Sequence, residues 1–548
     1  MDAKYMVILI ILFVVAVIIG LEVWNRIKLR QRVKQEWGKL PRQPRFDKEK
    51  SLKEAWMVEK DFHPHDSEID DITWYDLDLF DVFEMINSTY SSVGSEALYQ
   101  QLRNFDFKSD KQLTTLIDFF AANPKIREDT QYTFAQLGKL DHNFSKNYLA
   151  SGKKESIGNL PVFILLGCLP IVGLILLAFG FVPGLAVILI SVLFNTVYYT
   201  IKKATLETEL NSMRYLVQTV ACGSKIAKLA TPLQEQIQKE LLPLKKIPRF
   251  GVSFRSKNGS EGDMIFEYIN IIFMLPFISY HYVVTALARY NQQAIALWEL
   301  LGKLEIACAI LNFRTYMPLT CIPAFEKGPV TAKGTYHPLL TEAVMNDVDW
   351  QTNTLVTGSN ASGKSTYVKS IAINCLLAQT IQTAVAESFT MEPGHVLTSM
   401  AVEDDLFEGD SYFVAEIKSI KRLLEQVQQK DRCYCFIDEI LKGTNTIERI
   451  AASASIIHWL RDYPSLAFIA THDIELTEIL KNDCSNIHFS EQVTADDGIS
   501  FDYKVKQGPS TSRNAIALLR VLGYPKSIVE QAENEAAYFN QQRTWQDL

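Results

Sequence analysis

No two of the eight cysteines form a CxxC pair; Cys168, Cys222, Cys308, Cys321, Cys375, Cys433, Cys435 and Cys484 are scattered along the chain. That spacing supports neither a disulfide framework nor a zinc site, and it fits a reducing compartment. Glycine (25) and proline (19) are too few for a collagen-like or low-complexity chain. Basic excess is missing as well: 55 Lys and Arg face 63 Asp and Glu, a formal charge of −8. This argues against a surface that grips nucleic acid throughout and leaves room only for a local basic patch. No repeat at solenoid period is visible. What remains is a chain of 548 residues, 48% hydrophobic and 22% charged. It is too long for one compact domain and too apolar for disorder, so about three or four structural units are expected.

Two apolar tracts stand out. Tyr5 to Trp24 carries only Glu22 as a charge, and about 20 apolar residues span a bilayer. A cleaved signal peptide would place its positive charges before the apolar run. Here Lys4 alone precedes it and Arg26, Lys28, Arg30, Arg32 and Lys34 follow, so an uncleaved anchor is expected. From Leu160 to Tyr199 there is no charge at all, and Gly180, Pro183 and Gly184 fall near the middle. Two helices joined by a Gly/Pro turn fit that length. Lys153 and Lys154 before the tract and Lys202 and Lys203 after it put both ends on the cytoplasmic side. Three spans then agree on a multi-pass cell-membrane protein with a short external N-terminus and the rest in the cytosol. Arg26 to Lys50 holds ten basic residues against three acidic ones; beside a membrane, such a cluster is expected to meet anionic lipid. A third tract, Tyr268 to Ala288, carries Asn270, Pro276, Ser279 and His281 and reads as a buried helix of a soluble helical domain.

Leu77, Leu79, Phe80, Phe83 and Ile86 recur at helical spacing, as do Leu206, Leu210, Met213, Leu216, Val217 and Val220. Both stripes read as core of an all-helical domain and carry no chemistry.

Near Pro318 the pattern turns to short strands. A β-prone run, Asn353 to Thr357, leads into Gly358-Ser359-Asn360-Ala361-Ser362-Gly363-Lys364-Ser365-Thr366 and then a helix over Ser365 to Thr380. This is GxxxxGK[ST] between a strand and a helix. Its glycines let backbone N–H groups face phosphate oxygens, and the helix N-terminus adds partial positive charge. Lys364 is suited to the β- and γ-phosphates of ATP, and Ser365 to Mg²⁺. The run Cys433 to Ile437 ends in Asp438 and Glu439. Open α/β sheets hold ligands at such strand ends, so Asp438 is expected to hold Mg²⁺ through water and Glu439 to orient or deprotonate the attacking water. A third strand, Leu466 to Ala470, ends at Thr471-His472-Asp473, where His472 can sense the γ-phosphate.

With these residues in hand, the region from about Gly334 to Ala532 resembles the C-terminal ATPase domain of the DNA mismatch repair MutS family, a branch of the ABC-type ATPases. The resemblance rests on GTYHPLL, VTGSNASGKSTYVKSIA, SYFVAEI, FIDEILKGTNTIE, ATHDIELTEIL and GPSTSRNAIALLRVLGYPKSIVEQA. It implies paired ATPase domains in a homodimer, with Ser411 reaching the partner's γ-phosphate and the Gly443–Thr446 loop lining the contact. The tail from Gly508 to Ala532 resembles the family's helix-turn-helix dimerisation element. Mismatch-reading members carry N-terminal domains with a Phe-x-Glu wedge and a basic DNA clamp; here a membrane helix and an apolar hairpin stand in comparable places.

The expected fold is therefore an α/β P-loop ATPase domain of ABC/MutS type after an all-helical core and lever domain, with three transmembrane helices. The expected divisions are an anchor over 1–25, a basic segment and helical core over 26–155, a hairpin over 156–201, a lever over 202–317, the ATPase over 318–507 and a dimerisation element over 508–548. The expected activity is Mg²⁺-dependent ATP hydrolysis at a dimer interface, coupled to the levers and to an unidentified protein partner. DNA, mismatched or not, enters through the resemblance alone. A tethered DNA-binding mismatch repair protein is the alternative. A transport ATPase ranks last, because the spans hold no ionisable residue but Glu22.

Overall fold

The computed structural model describes residues 3–41, 48–60, 63–108, 110–140, 143–151, 157–253, 261–359, 362–400, 412–494, 498–510, 516, 519–520, 522–542 and 544–545. They fall into two compact units. One comprises Met1–Pro64, Glu84–Gln100 and Asp110–Tyr316; the other comprises His65–Phe83, Gln101–Ser109 and Met317–Leu548.

The first unit is helical. Its long elements are α1 (Ala3–Glu36), α2 (Leu160–Ala178), α3 (Pro183–Thr205), α4 (Glu207–Ile226), α5 (Glu261–Phe273), α6 (Leu275–Arg289) and α7 (Asn291–Tyr316). The first apolar tract lies within α1. Among the described residues, α2 and α3 are each long and apolar enough to cross a bilayer, and α5 with α6 qualifies only if the bent pair is taken as one span. Side chains such as Leu165, Ile190 and Leu193 are more than 60% exposed, an apolar surface that water does not favour. α2 and α3 meet through glycines: a Cβ on Gly184 would lie 2.6 Å from the Gly173 carbonyl oxygen. Small residues permit such close backbone approach.

One expectation needs correction in this unit. Tyr268 to Ala288 is not one helix: it breaks at Met274 (φ +55°) and bends by 80°. Pro276 is the physical reason, because it has no N–H to give the Ile272 carbonyl and disfavours helical geometry before it. Asn195 of α3 fills the gap, its Nδ2 donating to Ile272 O at 2.8 Å and to Leu166 O at 2.9 Å. In the basic cluster after the first tract, Arg26, Arg30, Arg32 and Lys34 have carboxylate partners within the chain. Arg30 pairs with Glu128 (3.0 Å) and with Asp129, and Lys34 reaches Glu128 at 3.4 Å. Arg26 and Arg32 pair with Glu22 and Glu36, one helical turn away.

The second unit is built on a six-stranded sheet: β1 (Thr354–Thr357), β2 (His395–Ser399), β3 (Cys433–Asp438), β4 (Ser465–Ala470), β5 (Ser485–His488) and β6 (Lys506–Gln507). The spatial order is β6-β5-β1-β4-β3-β2. Every pairing is parallel except β5 with β6. The central strands are buried along their length, as continuous apolar runs like Cys433 to Ile437 require. Helices α8 (Lys364–Ile381), α9 (Tyr412–Val427) and α10 (Thr446–Leu460) follow β1, precede β3 and follow β3 respectively. Beside this sheet, Ala324–Phe325, Val330–Thr335, Asn346–Trp350 and Ser388–Met391 form a smaller one. Trp350 packs on Tyr434, Phe436 and Phe468 at ring separations of 5.6, 5.3 and 4.3 Å.

The stripe from Leu77 to Ile86, expected in an all-helical domain, is split. Asp78 adopts φ +50° between the short helices Asp71–Asp76 and Leu79–Ile86, and the part up to Phe83 belongs to the sheet unit. Polar bonds hold it there. Asp76 accepts from Thr398 Oγ1 (2.6 Å) and Met400 N (2.9 Å), and Arg422 binds Asp70. The apolar period identified helix but could not say what the helix packs on.

Candidate functional site

β1, β4 and β3 lie side by side and parallel, so their C-terminal ends open on one edge of the sheet. Residues far apart in sequence meet there. The chain leaves β1 at Gly358 (φ +139°) and enters α8 at Gly363 (φ +98°), in backbone regions that L side chains avoid. A Cβ on Gly358 would lie 2.6 Å from Phe489 O, and one on Gly363 would lie 3.0 Å from the Tyr503 ring. Ser362 Oγ donates to Ser359 O at 2.7 Å and tightens the loop.

Lys364 is 2% exposed. Its ammonium donates to the carbonyl oxygens of Gly358 (2.6 Å) and Ser359 (3.0 Å) and sits 3.3 Å from His472 Nε2. Ser365 Oγ donates to Asp438 Oδ2 at 2.7 Å. Glu439 leaves β3 with φ +60°, its N–H bonded to Ala470 O at 2.9 Å. Its carboxylate lies 3.1 Å from His472 Nε2 and 3.3 Å from Lys442 Nζ. The bond to His472, helped by Lys442, holds the Glu439 carboxyl down to about 2 against the opposing effect of burial. Lys364, Ser365, Asp438, Glu439 and His472 are thus brought together. Thr366, in the same motif, is exposed. Asn360, Ala361 and Ser411 lie outside the described residues.

Several supports escaped the sequence reading. Arg449 of α10 grips Asp473 through two bonds of 2.8 and 2.6 Å, steadying the turn that carries His472. Glu416 of α9, itself buried, accepts Lys442 N at 2.8 Å and Gly443 N at 3.4 Å. It ties the loop after Glu439 to the helix that begins next to Ser411. Tyr503, in the segment just before β6, closes over Gly363. Asp473 and Glu416 stood within quoted motifs; nothing local marks Arg449 or Tyr503.

The donor set suits a nucleotide with its metal. A buried ammonium beside a helix N-terminus and two glycines that admit no Cβ fit a polyphosphate. A hydroxyl with a neighbouring carboxylate offers the hard oxygen ligands that Mg²⁺ takes. Among the described residues no cluster of three His, Cys, Asp or Glu forms a protein-only metal cage, and Mg²⁺ on phosphates needs none.

Residues 354–540 match the family model of MutS domain V. The chain is 27% identical over 262 residues to the DNA mismatch repair protein MutS of Natronomonas pharaonis, covering 46% of this chain and 30% of that protein. It is 31% identical over 220 residues to the protein of the same name from Listeria monocytogenes, covering 38% and 25%. With DNA mismatch repair protein MutS 2 of Halobacterium salinarum it shares 30% over 223 residues, again 38% and 25%. The chain therefore spans less than a third of the length of these relatives. The sheet unit carries a MutS domain V.

Proposed function

We propose that this protein is a membrane-anchored MutS-type ATPase that binds ATP with Mg²⁺ in a P-loop site and hydrolyses it as a homodimer. The observation that carries the reading is the meeting of Lys364, Asp438, Glu439 and His472 at one edge of a parallel sheet. Lys364 and the backbone of residues 358–363 would hold the β- and γ-phosphates, and Ser365 and Asp438 would hold Mg²⁺. When bound, Mg²⁺ neutralises phosphate charge and orients the leaving group. Glu439, ionised and tethered to His472, is the base that orients or deprotonates water. His472, between Glu439 and Lys364, links the base to the phosphate end. Ser411 would complete the partner's site. The apolar hairpin α2–α3 and the first tract anchor the chain in the cell membrane, with the basic ends, and so the ATPase unit, in the cytoplasm. Opening and closing of the dimer would drive the helical unit and any protein partner it holds.

Lys364→Ala and Glu439→Gln in the full chain in nanodiscs test this. Hydrolysis should fall in both, and unchanged rates in both would end the assignment. The names of the relatives favour a second reading, a tethered protein of DNA mismatch repair. It requires duplex DNA, and mismatched duplex more strongly, to alter the ATPase rate in a salt-dependent way.

A further inference from the structure

Where the apolar hairpin ends, α3 carries Lys202 and Lys203 in its last turn and α4 starts at Glu207. Beside this junction is a cavity of about 100 Å³ lined in part by Tyr199, Lys203, Glu207, Arg214, Glu267 and Asn270. That space holds several water-sized groups. Its polar walls come from α3, α4 and α5, at the boundary between exposed apolar helix and the polar body of the unit.

The charges in the cavity are not equivalent. Lys203 pairs with Glu267, so each is answered by the other. Glu207 is exposed at the rim. Arg214 is partly buried, and its Nε–H is fully covered with no hydrogen-bond partner among the described residues. Burial lowers its pKa, partly countered by the field of Glu267, Tyr199 and Glu207. A guanidinium nevertheless stays charged, and its planar fork of donors matches the oxygens of phosphate. A covered cationic donor lacking an acceptor, on the wall of a cavity that can hold one, indicates an anionic ligand.

We propose that this cavity binds a phosphate group against Arg214, with Lys203 beside it, and that in the membrane the phosphate belongs to a phospholipid headgroup. The site itself rests on the cavity and Arg214; only the source of the phosphate rests on the membrane reading above. Neither the ATP site nor the basic segment after the first tract is involved.

The test uses the full-length protein in detergent, with melting temperature followed against three probes. These are dihexanoyl-phosphatidylglycerol, dihexanoylglycerol without phosphate, and inorganic phosphate. A saturable rise with the phosphatidyl lipid is expected, with none from the phosphate-free lipid, and Arg214→Gln should weaken it at least about tenfold while Arg214→Lys keeps part of it. If inorganic phosphate reproduces the Arg214-dependent rise, the site stands with free phosphate as its source; if only the lipid does, the headgroup is the source. No saturable rise from either phosphate-bearing probe, or a rise equal in Arg214→Gln, overturns the proposal. Should Arg214→Gln fail to fold, native mass spectrometry of the parent decides: retention of phosphatidylglycerol no better than of the phosphate-free lipid overturns it. Liposome flotation of the same protein reports separately on the membrane reading.

Discussion

Ser365 Oγ donates a hydrogen bond to the Asp438 carboxylate at 2.7 Å, joining the first turn of α8 to the end of β3 across 73 residues of sequence. The bond brings the hydroxyl and carboxylate expected to share Mg²⁺ to one point. Asp438→Asn keeps an acceptor for Ser365 but removes the charge. The Mg²⁺ concentration for half-maximal ATPase should rise about 10–100-fold, while the melting temperature of the free protein stays near that of the parent. An unchanged Mg²⁺ titration would remove Asp438 from the metal site.

Glu439 provides a pH prediction. Its carboxyl is held at about 2, below the ordinary 4.5. The stability this contributes is present above about 4.5 and is lost as the pH falls toward 2. Glu439 therefore stays ionised across an ordinary assay range, and Glu439 does not set an acid limb between roughly pH 5 and pH 8. Glu439→Gln should lower the turnover rate about 10²–10⁴-fold with nucleotide affinity retained. A rate profile whose acid limb vanishes in Glu439→Gln would contradict the first part.

Gly363→Ala puts a Cβ 3.0 Å from the Tyr503 ring at a φ of +98°. The strain should cost about 1–3 kcal/mol and displace the start of α8. Binding of a fluorescent ATP analogue should weaken by at least about tenfold. Tyr503→Ala alongside it relieves the contact but not the dihedral strain, so only partial recovery is expected.

In the helical unit, Glu305 is buried and accepts hydrogen bonds from Tyr90 N (2.7 Å), Ser91 N (3.2 Å) and Ser91 Oγ. Burial lifts its carboxyl from 4.5 to about 7, while the donors of Ser91 and Tyr90 pull the other way. The folded chain thus binds a proton that the unfolded chain has lost between those values. The stability from this group is fully present below about 4.5 and is lost as the pH rises through about 7. Glu305→Gln should remove a pH-dependent part of the unfolding free energy on the order of 2–3 kcal/mol, read as a smaller difference in melting temperature between pH 5 and pH 8.

Asn195→Leu deletes the amide that serves the Ile272 and Leu166 carbonyls. On the membrane reading proposed above, such interhelical bonds contribute about 0.6–2 kcal/mol, so unfolding in detergent should shift by that order. Restoring the missing donor with Pro276→Ala should recover part of the loss. No recovery would mean the bend at Met274 has another cause.

The motif at Gly358–Thr366, the acidic end of Cys433–Asp438 and the strand before His472 were legible because each is a local pattern. Glycine at positive φ, a buried apolar run and a hydroxyl after lysine leave their mark within a few residues. The apolar tract from Leu160 to Tyr199 was legible for the same reason: its composition and its Gly/Pro interruption are local. The bend at Met274 was half-legible, since Pro276 stands in the sequence but the amide answering its missing donor lies 77 residues away from Ile272. Arg449, Tyr503 and the place of Asp70 and Asp76 left no local mark.

By itself, then, the sequence determined which segments favour strand, loop or helix, which are apolar enough to span a bilayer and which side chains stand in motifs suited to phosphate, because backbone propensity and side-chain type act over a few neighbouring residues. Only the tertiary structure decided that β1, β4 and β3 are adjacent, that Glu439 faces His472 and not solvent, and that Arg30 and Lys34 spend their charge on Glu128. Those outcomes depend on strand order and on burial across long loops, where pairing energies and desolvation are settled between partners that no local window contains.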